Sequence, residues 1–427
     1  MSKLFTIMTG AIMMQNPVEF PNLIGTLNKQ LEFAGAPGRV HELYGSMRHT
    51  KSGLPTGRPD FRLEDISFEY LEKYVKACHA NGLIFNYTMN ANYIGNLAQI
   101  NARYNEIVEG IKKLEEIGID RITVSHPILL DIVCNHTNIP IEVSTILNIS
   151  SLQAPRELKR RYPNINKICM SIDKIRNIDF VSKMQQECED NGILLETMVS
   201  EFCAIGFMSC SQLHRNFCYN MHSMNMPQDI AQKSKYIDEN GNEVKMEKEV
   251  SGYPWTSGKK GCIFNRAIDS KIWLSSRTIW PNEIVEYIEM TGVKQIKITT
   301  RTAPADFALK LTRWYTEGHY DGPLAGLWLA LQGSTLNVRE QFDEIQSKAQ
   351  SSIPYLCKDL SKKHKMTMKL CYKGTWESYE GEFKFMDLFF LYSEIDWSDI
   401  VWVDKPDDEL KEYECNWIAK WHKLLTK

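Results

Sequence analysis

The sequence predicts an α/β protein: a (β/α)8 TIM-like barrel with a long cysteine-bearing insertion and a C-terminal α+β subdomain. The first observation is that eight short apolar runs, rich in Ile, Val, Leu or Tyr, alternate with amphipathic helical patterns. The second is that three helices end in a glycine turn that leads at once into a strand. Repeated strand–helix units imply a parallel sheet, and eight suggest a barrel. A doubly wound open sheet is the main alternative, but no GxGxxG motif follows the first strand.

The predicted strands are short, and polar or turn residues bound each of them. In chain order they are Leu4–Met8, Val40–Tyr44, Leu83–Met89, Arg121–Val124, Ile141–Val143, Lys167–Met170, Leu194–Val199 and Gln295–Ile298. The predicted helices include Phe68–Ala80, Glu106–Ile117, Asp179–Asp190 and Pro281–Met290. The glycine turns that end three of these helices lie at Gly118, Gly192 and Gly292.

Two segments interrupt this alternation and set the predicted domains. Residues 1–320 form the barrel domain, which includes a cysteine-rich insertion at residues 200–271, and residues 321–427 form the C-terminal subdomain. Within the insertion, Tyr236–Val244 predicts a β-hairpin with its turn at Asn240-Gly241. The subdomain is predicted to contain helices at Trp328–Ala349 and Leu410–Leu425 and extended segments at Lys365–Tyr372 and Glu382–Phe390.

The composition is that of a soluble globular protein. The chain has 427 residues, of which 43% are hydrophobic and 24% charged, so disorder is excluded as a description of the whole chain. No run of about 18 apolar residues predicts a membrane span, and the apolar start lacks a small-residue cleavage site, so we interpret it as a strand. The odd number of cysteines, eleven, favours a reduced, cytoplasmic protein.

Four cysteines form a set with the spacing Cys203-x6-Cys210-x7-Cys218-x43-Cys262. Cys203 follows a predicted strand by a few residues, at the end of the barrel where an active site is expected. Four thiolates can hold a 4Fe-4S cluster or a structural zinc ion, and His222 offers a Cys/His zinc variant. The spacing has no CxxC pair, so four unrelated free thiols are an equal alternative at this point.

Six pieces of sequence, in order along the chain, resemble the collagenase-like peptidase family, U32. The pieces are Glu42–Gly45, Tyr87–Asn90, Gly118–Ser125, Glu142–Asn148, Glu196–Cys210 and Gly292–Arg301. Together they span roughly two thirds of the chain. The chain departs from the family pattern at His126, where an Asp is usual, and at Thr299-Thr300, which stand in place of Glu-Gly.

The resemblance implies an iron–sulfur enzyme. Members of the family include oxygen-independent hydroxylases in which four such cysteines hold a 4Fe-4S cluster. The resemblance therefore assigns Cys203, Cys210, Cys218 and Cys262 as ligands, with zinc as the alternative metal. The expected reaction is an oxygen-independent hydroxylation or related redox modification of a small molecule, peptide or RNA. The alternatives are a peptidase or other hydrolase, and a non-catalytic, cluster-carrying subunit of a heteromeric complex. No GxSxG or HExxH motif supports hydrolysis.

Polar residues just beyond the predicted strands are the other candidates for the site. His126 and Arg301 are the predicted catalytic residues: an imidazole can act as acid, base or ligand, and a guanidinium can bind a carboxylate or phosphate. The predicted substrate-binding residues are Tyr44, Asn90, Ser144, Asn148 and Glu201. Structural hydrogen bonding is the alternative for each. The net charge of -3 favours a small molecule or peptide over RNA, and a protein partner, but no membrane, is also expected.

Overall fold

The computed structural model describes residues 4–58, 63–92, 94, 97–200, 235–237, 243–245, 278–300 and 305–320. Eight parallel strands close a barrel in the order β1-β8-β7-β6-β5-β4-β3-β2. The strands are β1 Phe5–Gly10, β2 Gly38–Gly45, β3 Ile84–Met89, β4 Arg121–Val124, β5 Ile141–Val143, β6 Ile165–Cys169, β7 Leu194–Met198 and β8 Gln295–Lys297. The predicted (β/α)8 barrel is therefore confirmed, and the ends of each predicted strand lie within two residues of those of an observed one.

A helix follows each strand, as a (β/α)8 fold requires. The helices are α1 Glu19–Phe33, α2 Phe68–Ala80, α3 Leu97–Ile117, α4 Pro127–His136, α5 Ala154–Arg161, α6 Ile178–Asp190, α7 Ile284–Thr291 and α8 Ala305–Glu317. Short helical turns at His49–Ser52, Thr145–Leu147, Ile172–Lys174 and Pro281–Glu283 lie in the connections. Helix α3 begins nine residues before its predicted start, and α2 has its predicted bounds.

The three predicted glycine turns are confirmed. Gly118, Gly192 and Gly292 have φ angles of 84°, 64° and 72°. A side chain with a Cβ atom is strained in this left-handed region, whereas glycine adopts it readily. Each of these residues therefore ends its helix and directs the chain into the next strand.

The strands have two chemically different faces. Side chains alternate between the two sides of a strand, so residues of one parity pack under the helices and those of the other point into the barrel. On the outer side, Phe85 of β3 is fully buried and packs edge-on against Tyr74 of α2, with ring centroids 5.6 Å apart. The inner side carries charged residues, which form the candidate site.

A two-stranded hairpin belongs to a second compact unit of the chain. Lys235–Ile237 pairs antiparallel with Glu243–Lys245, and Tyr236 lies opposite Val244, as the predicted hairpin requires. Its turn lies outside the described residues, as do all the elements predicted after Asp321. The domain boundary stays a prediction. Among the helices that the structure describes, none is both long and apolar enough to cross a bilayer.

Candidate active site

Six charged side chains from six strands meet inside the barrel. They are Glu42 on β2, Arg121 on β4, Glu142 on β5, Lys167 on β6, Glu196 on β7 and Lys297 on β8. We call them the interior network. The network contains three carboxylates and three cations, so its charges balance when all six groups are ionised. All six side chains are buried or nearly so, and an unpaired charge among them would destabilise the folded chain strongly.

Lys167 lies at the centre of the network. Its Nζ is 3.0 Å from Glu42, 3.2 Å from Glu142 and 2.6 Å from Glu196. Burial acts to lower the pKa of this ammonium, but the carboxylates around it outweigh burial and raise the pKa. Lys167 is therefore protonated at neutral pH and is not a free amine that could attack a substrate carbonyl.

Glu42 is held at the amino-terminal end of the barrel by donors from several strands. Asn86 Nδ2 donates to it at 2.6 Å, Gln295 Nε2 at 2.9 Å and Arg121 Nη1 at 2.6 Å. Although burial acts in the opposite direction, Lys167 and Arg121 lower the pKa of the Glu42 carboxyl. Glu42 is thus a fixed negative charge with its hydrogen bonds satisfied.

Glu196 differs from the other two carboxylates. Burial, together with the nearby Glu142, raises the pKa of Glu196 from its usual 4.5 to about 7, although Lys167 and Lys297 act to lower it. The Glu142 carboxyl has a lowered pKa because Lys167 and Lys297 outweigh its burial. Glu196 is therefore the member of the network that exchanges a proton near neutral pH.

This difference predicts a pH effect on stability that Glu196→Gln removes. Between pH 4.5 and about 7 the folded chain keeps a proton that the unfolded chain releases, so the wild type loses stability as pH rises. By linkage, the loss approaches about 3 kcal/mol across this window. Urea unfolding at pH 5 and pH 8 measures the effect. Relative to wild type, the free energy of unfolding of Glu196→Gln should be higher at pH 8 than at pH 5. The surface variant Glu157→Gln is the control, and parallel pH profiles for wild type and Glu196→Gln would refute the assignment.

The network also contains a group whose spacing could suit a metal ion. Donor atoms of Glu142, Cys169 and Glu196 lie within 4.8 Å of one another. However, the ammoniums of Lys167 and Lys297 already lie against these carboxylates, at 2.6 Å and 3.3 Å for the shortest contact of each. Burial also holds the pKa of Cys169 well above its usual value, so its thiol keeps its proton. This group is an ion-pair network rather than a metal centre.

Above the network, the carboxyl ends of the strands form the mouth of the barrel. Tyr44, a predicted substrate-binding residue, lies here at the end of β2, nearly buried. Its hydroxyl donates to the carbonyl of Ile298 at 3.4 Å, and Lys297 Nζ lies 4.5 Å from the centre of its ring. Asn90 follows β3 and accepts a hydrogen bond from the backbone of Gly57 at 3.1 Å.

Ser144 and Asn148 follow β5 at the same mouth and stabilise its loop. Ser144 caps a helical turn by accepting a hydrogen bond from the backbone N–H of Ile146 at 3.2 Å. Asn148 has a φ angle of 61° and accepts a hydrogen bond from Ser171 at the end of β6. These bonds give both residues a structural role, whatever contact they also make with a substrate.

His126 is the N-cap of helix α4. Its Nδ1 accepts a hydrogen bond from the backbone N–H of Ile128 at 3.2 Å, and burial lowers the pKa of the ring. The imidazole is therefore neutral at physiological pH, with its proton on Nε2. The side chain can donate a hydrogen bond or proton from Nε2, while Nδ1 is engaged by the helix.

The remaining predicted site residues, Glu201, Arg301 and the four cysteines, lie outside the described residues. The described ends of the segment that carries these cysteines nevertheless lie together. Ile279 N donates to the carbonyl of Val199 at 2.9 Å, directly after β7. Ser200 Oγ accepts from Thr299 N at 2.7 Å, just beyond β8. Ser200 and Thr278, the described residues on either side of this segment, thus both lie at the mouth of the barrel.

The interior network is not among the features predicted from the sequence. The signal was present, because predicted strands contain charged residues between apolar ones, as in Ile141-Glu142-Val143 and Ile296-Lys297-Ile298. Alternation of this kind usually marks a strand with one solvated face. In a closed barrel the polar parity points inward instead, and the charges must then find partners on other strands.

A family model and several solved structures are similar to this chain. The model, described as peptidase family U32, matches residues 58–326, more than half of the chain. No curated protein matches this chain significantly.

Among solved structures, the U32 peptidase Mk0906 is 12% identical with a TM-score of 0.38, over 57% of this chain and 87% of that one. A putative dehydratase from Mesorhizobium loti is 11% identical with a TM-score of 0.30, over 46% and 48% of the two chains. D-glucarate dehydratase from Agrobacterium tumefaciens is 12% identical with a TM-score of 0.30, over 45% and 46%.

Proposed function

This chain belongs to peptidase family U32, and from that premise we propose that it is an iron–sulfur enzyme whose active site is the mouth of the barrel. In this proposal Cys203, Cys210, Cys218 and Cys262 hold a 4Fe-4S cluster. The reaction is an oxygen-independent hydroxylation or a related redox modification of a small molecule or peptide. The protein would work in the reducing cytoplasm, where free thiols persist.

One observation supports this proposal: the described residues that flank the cysteine-bearing segment in the sequence meet at the carboxyl end of β7. Val199 and Ile279 are hydrogen-bonded to each other there, and Arg176 Nε donates to the carbonyl of Thr278 at 3.1 Å. Cys203 follows Ser200 by only three residues in the sequence. Active sites of (β/α)8 enzymes lie at this end of the barrel.

The chemistry of the cysteines supports the same ligands. Cluster ligands must be thiolates, and burial opposes ionisation of the cysteines in the described barrel. It raises the pKa of Cys134 to about 11 and of Cys188 to about 12, and it also raises the pKa of Cys78 and Cys169. None of these four is a thiolate at neutral pH in the metal-free barrel. The family motif selects the four in the segment after β7.

The barrel would bind and orient the substrate, while the cluster, when bound, supplies electron transfer or activation of an oxygen donor. Tyr44, Asn90, Ser144, Asn148 and Glu201 are the proposed substrate contacts. His126 would donate a proton from Nε2, since Nδ1 accepts the helix-capping bond. Arg301 would bind a carboxylate or phosphate of the substrate through its guanidinium.

A comparison of metal-free and anaerobically prepared protein separates this proposal from peptide hydrolysis, which the family name suggests. We expect the anaerobic protein to show a visible absorption band that dithionite bleaches, as for a redox-active cluster. We expect neither preparation to cleave denatured collagen or casein peptides. Cleavage at equal rates by both preparations would support a metal-independent peptidase and overturn the redox proposal.

A further inference from the structure

We propose that Lys297 is the anchoring residue of the barrel mouth and that it binds an oxyanion, a carboxylate or phosphate, of the substrate. This inference rests on the proposed function, because it takes the mouth as the active site. It adds a residue and a substrate class: a small molecule or peptide with an anionic group.

Lys297 is the charge of the network that reaches the mouth. It is the last residue of β8 and lies in register with Met8 of β1 and Met198 of β7. Its side chain is 7% exposed, whereas that of Lys167 is 0% exposed. Arg121 is 11% exposed, but it begins β4 and so lies at the opposite end of the barrel.

The ammonium of Lys297 has capacity for a further acceptor. An ammonium has three N–H donors, and Lys167 meets three carboxylates at 3.2 Å or less. Lys297 instead lies 3.3 Å from Glu142 and 3.8 Å from Glu196, and the second distance is too long for a hydrogen bond. Among the described residues its one hydrogen bond is to Glu142. A buried cation in this condition favours an anionic ligand.

The side chains around Lys297 indicate what kind of molecule carries the anionic group. The ring of Tyr44 lies 4.5 Å from Lys297 Nζ, which suits a cation–π contact. Cys169 and Met198 form a buried apolar cluster at the neighbouring strand ends, and the Cys169 thiol keeps its proton. An oxyanion attached to an aromatic or apolar body would match the cation and these walls better than a strongly hydrated ion.

The network also couples anion binding to pH. The titratable groups that face Glu196 are Glu142 of β5, Lys167 and Cys169 of β6, Lys297 of β8, Glu42 of β2 and Arg121 of β4. When Glu196 takes up a proton, the network changes from balanced to a net charge of +1, and Lys297 loses a carboxylate competitor. Affinity for an oxyanion should therefore rise as pH falls through about 7.

Calorimetric titration of the full chain with benzoate and, separately, with inorganic phosphate tests the inference. We expect wild type to bind at least one probe, and preference for one identifies the oxyanion as carboxylate or phosphate. Lys297→Met should weaken binding at least about tenfold, Lys297→Arg should stay within about threefold, and Lys183→Met, an exposed lysine on α6, should match wild type. Glu196→Gln should bind the anion with an affinity that no longer changes as the pH falls through about 7.

Two results would overturn the inference: a folded Lys297→Met that binds as wild type does, or a wild type that binds neither probe. If Lys297→Met does not fold cooperatively, the titrations of Lys297→Arg and Glu196→Gln test the inference instead. Anion binding by Glu196→Gln that keeps the pH dependence of wild type would then contradict the inference. Iron content is measured on the same samples. Wild type without iron but with Lys297-dependent binding would contradict the proposed function alone, whereas normal iron without such binding would contradict this inference alone.

Discussion

Lys167→Met should destabilise the barrel by about 3–5 kcal/mol, because it leaves buried carboxylates without their central cation. Lys167 Nζ contacts Glu42, Glu142 and Glu196 at 3.0, 3.2 and 2.6 Å, and all four side chains are fully buried. Urea unfolding at pH 7.5 measures the loss. The matched control is Lys76→Met on α2, whose exposed i,i+4 pair with Glu72 should contribute less than about 0.5 kcal/mol.

A double variant shows whether the loss comes from the uncompensated charge. Adding Glu196→Gln to Lys167→Met removes one of the stranded carboxylates, so we expect the double variant to be more stable than the sum of the two single changes predicts. Strict additivity, or a loss below about 1 kcal/mol for Lys167→Met alone, would show that the network does not hold the barrel together.

Cys210→Ser should lose nearly all bound iron, from about four irons per chain to fewer than one. A serine hydroxyl does not replace a thiolate as a cluster ligand at neutral pH, and the same result is expected at Cys203, Cys218 and Cys262. Iron analysis after anaerobic purification measures the loss, together with the visible absorption.

The matched control is Cys134→Ser in helix α4, a half-buried cysteine whose raised pKa keeps it protonated. It should retain its iron. If Cys210→Ser keeps full iron and absorbance, the ligand assignment is wrong. If Cys134→Ser loses iron to the same degree, the loss reports damage to the fold rather than removal of a ligand.

The fold could be predicted because its signals are local. Each strand is a short apolar run, and Gly118, Gly192 and Gly292 mark helix ends through a conformation that glycine alone adopts without strain. Helix α1 was not predicted, and Gly25 and two Asn residues, Asn22 and Asn28, weaken its pattern. The structure gives the reason for Gly25: any Cβ there would clash with the side chain of Asn81. Tertiary packing thus selected a residue that helix propensity disfavours.

The interior network could not be predicted in the same way, because its pairs depend on register between distant strands. Glu42 and Lys167 are 125 residues apart in the chain and meet only when the barrel closes. The positions of Tyr44, Asn90 and Ser144 at the mouth were easier to anticipate, since each lies at the end of a strand or directly after it. Asn148 comes later, after the helical turn that follows β5. Their hydrogen bonds, such as the cap that Ser144 provides, emerge only from the folded loops.

The most direct test of the account is analysis of iron, sulfide and zinc in the full chain after anaerobic purification, together with an absorption spectrum. For an iron–sulfur enzyme with one 4Fe-4S cluster we expect about four irons and four sulfides per chain, with a broad visible band. One zinc ion without iron, or a chain with no metal at all, would contradict the iron–sulfur enzyme proposed for this barrel.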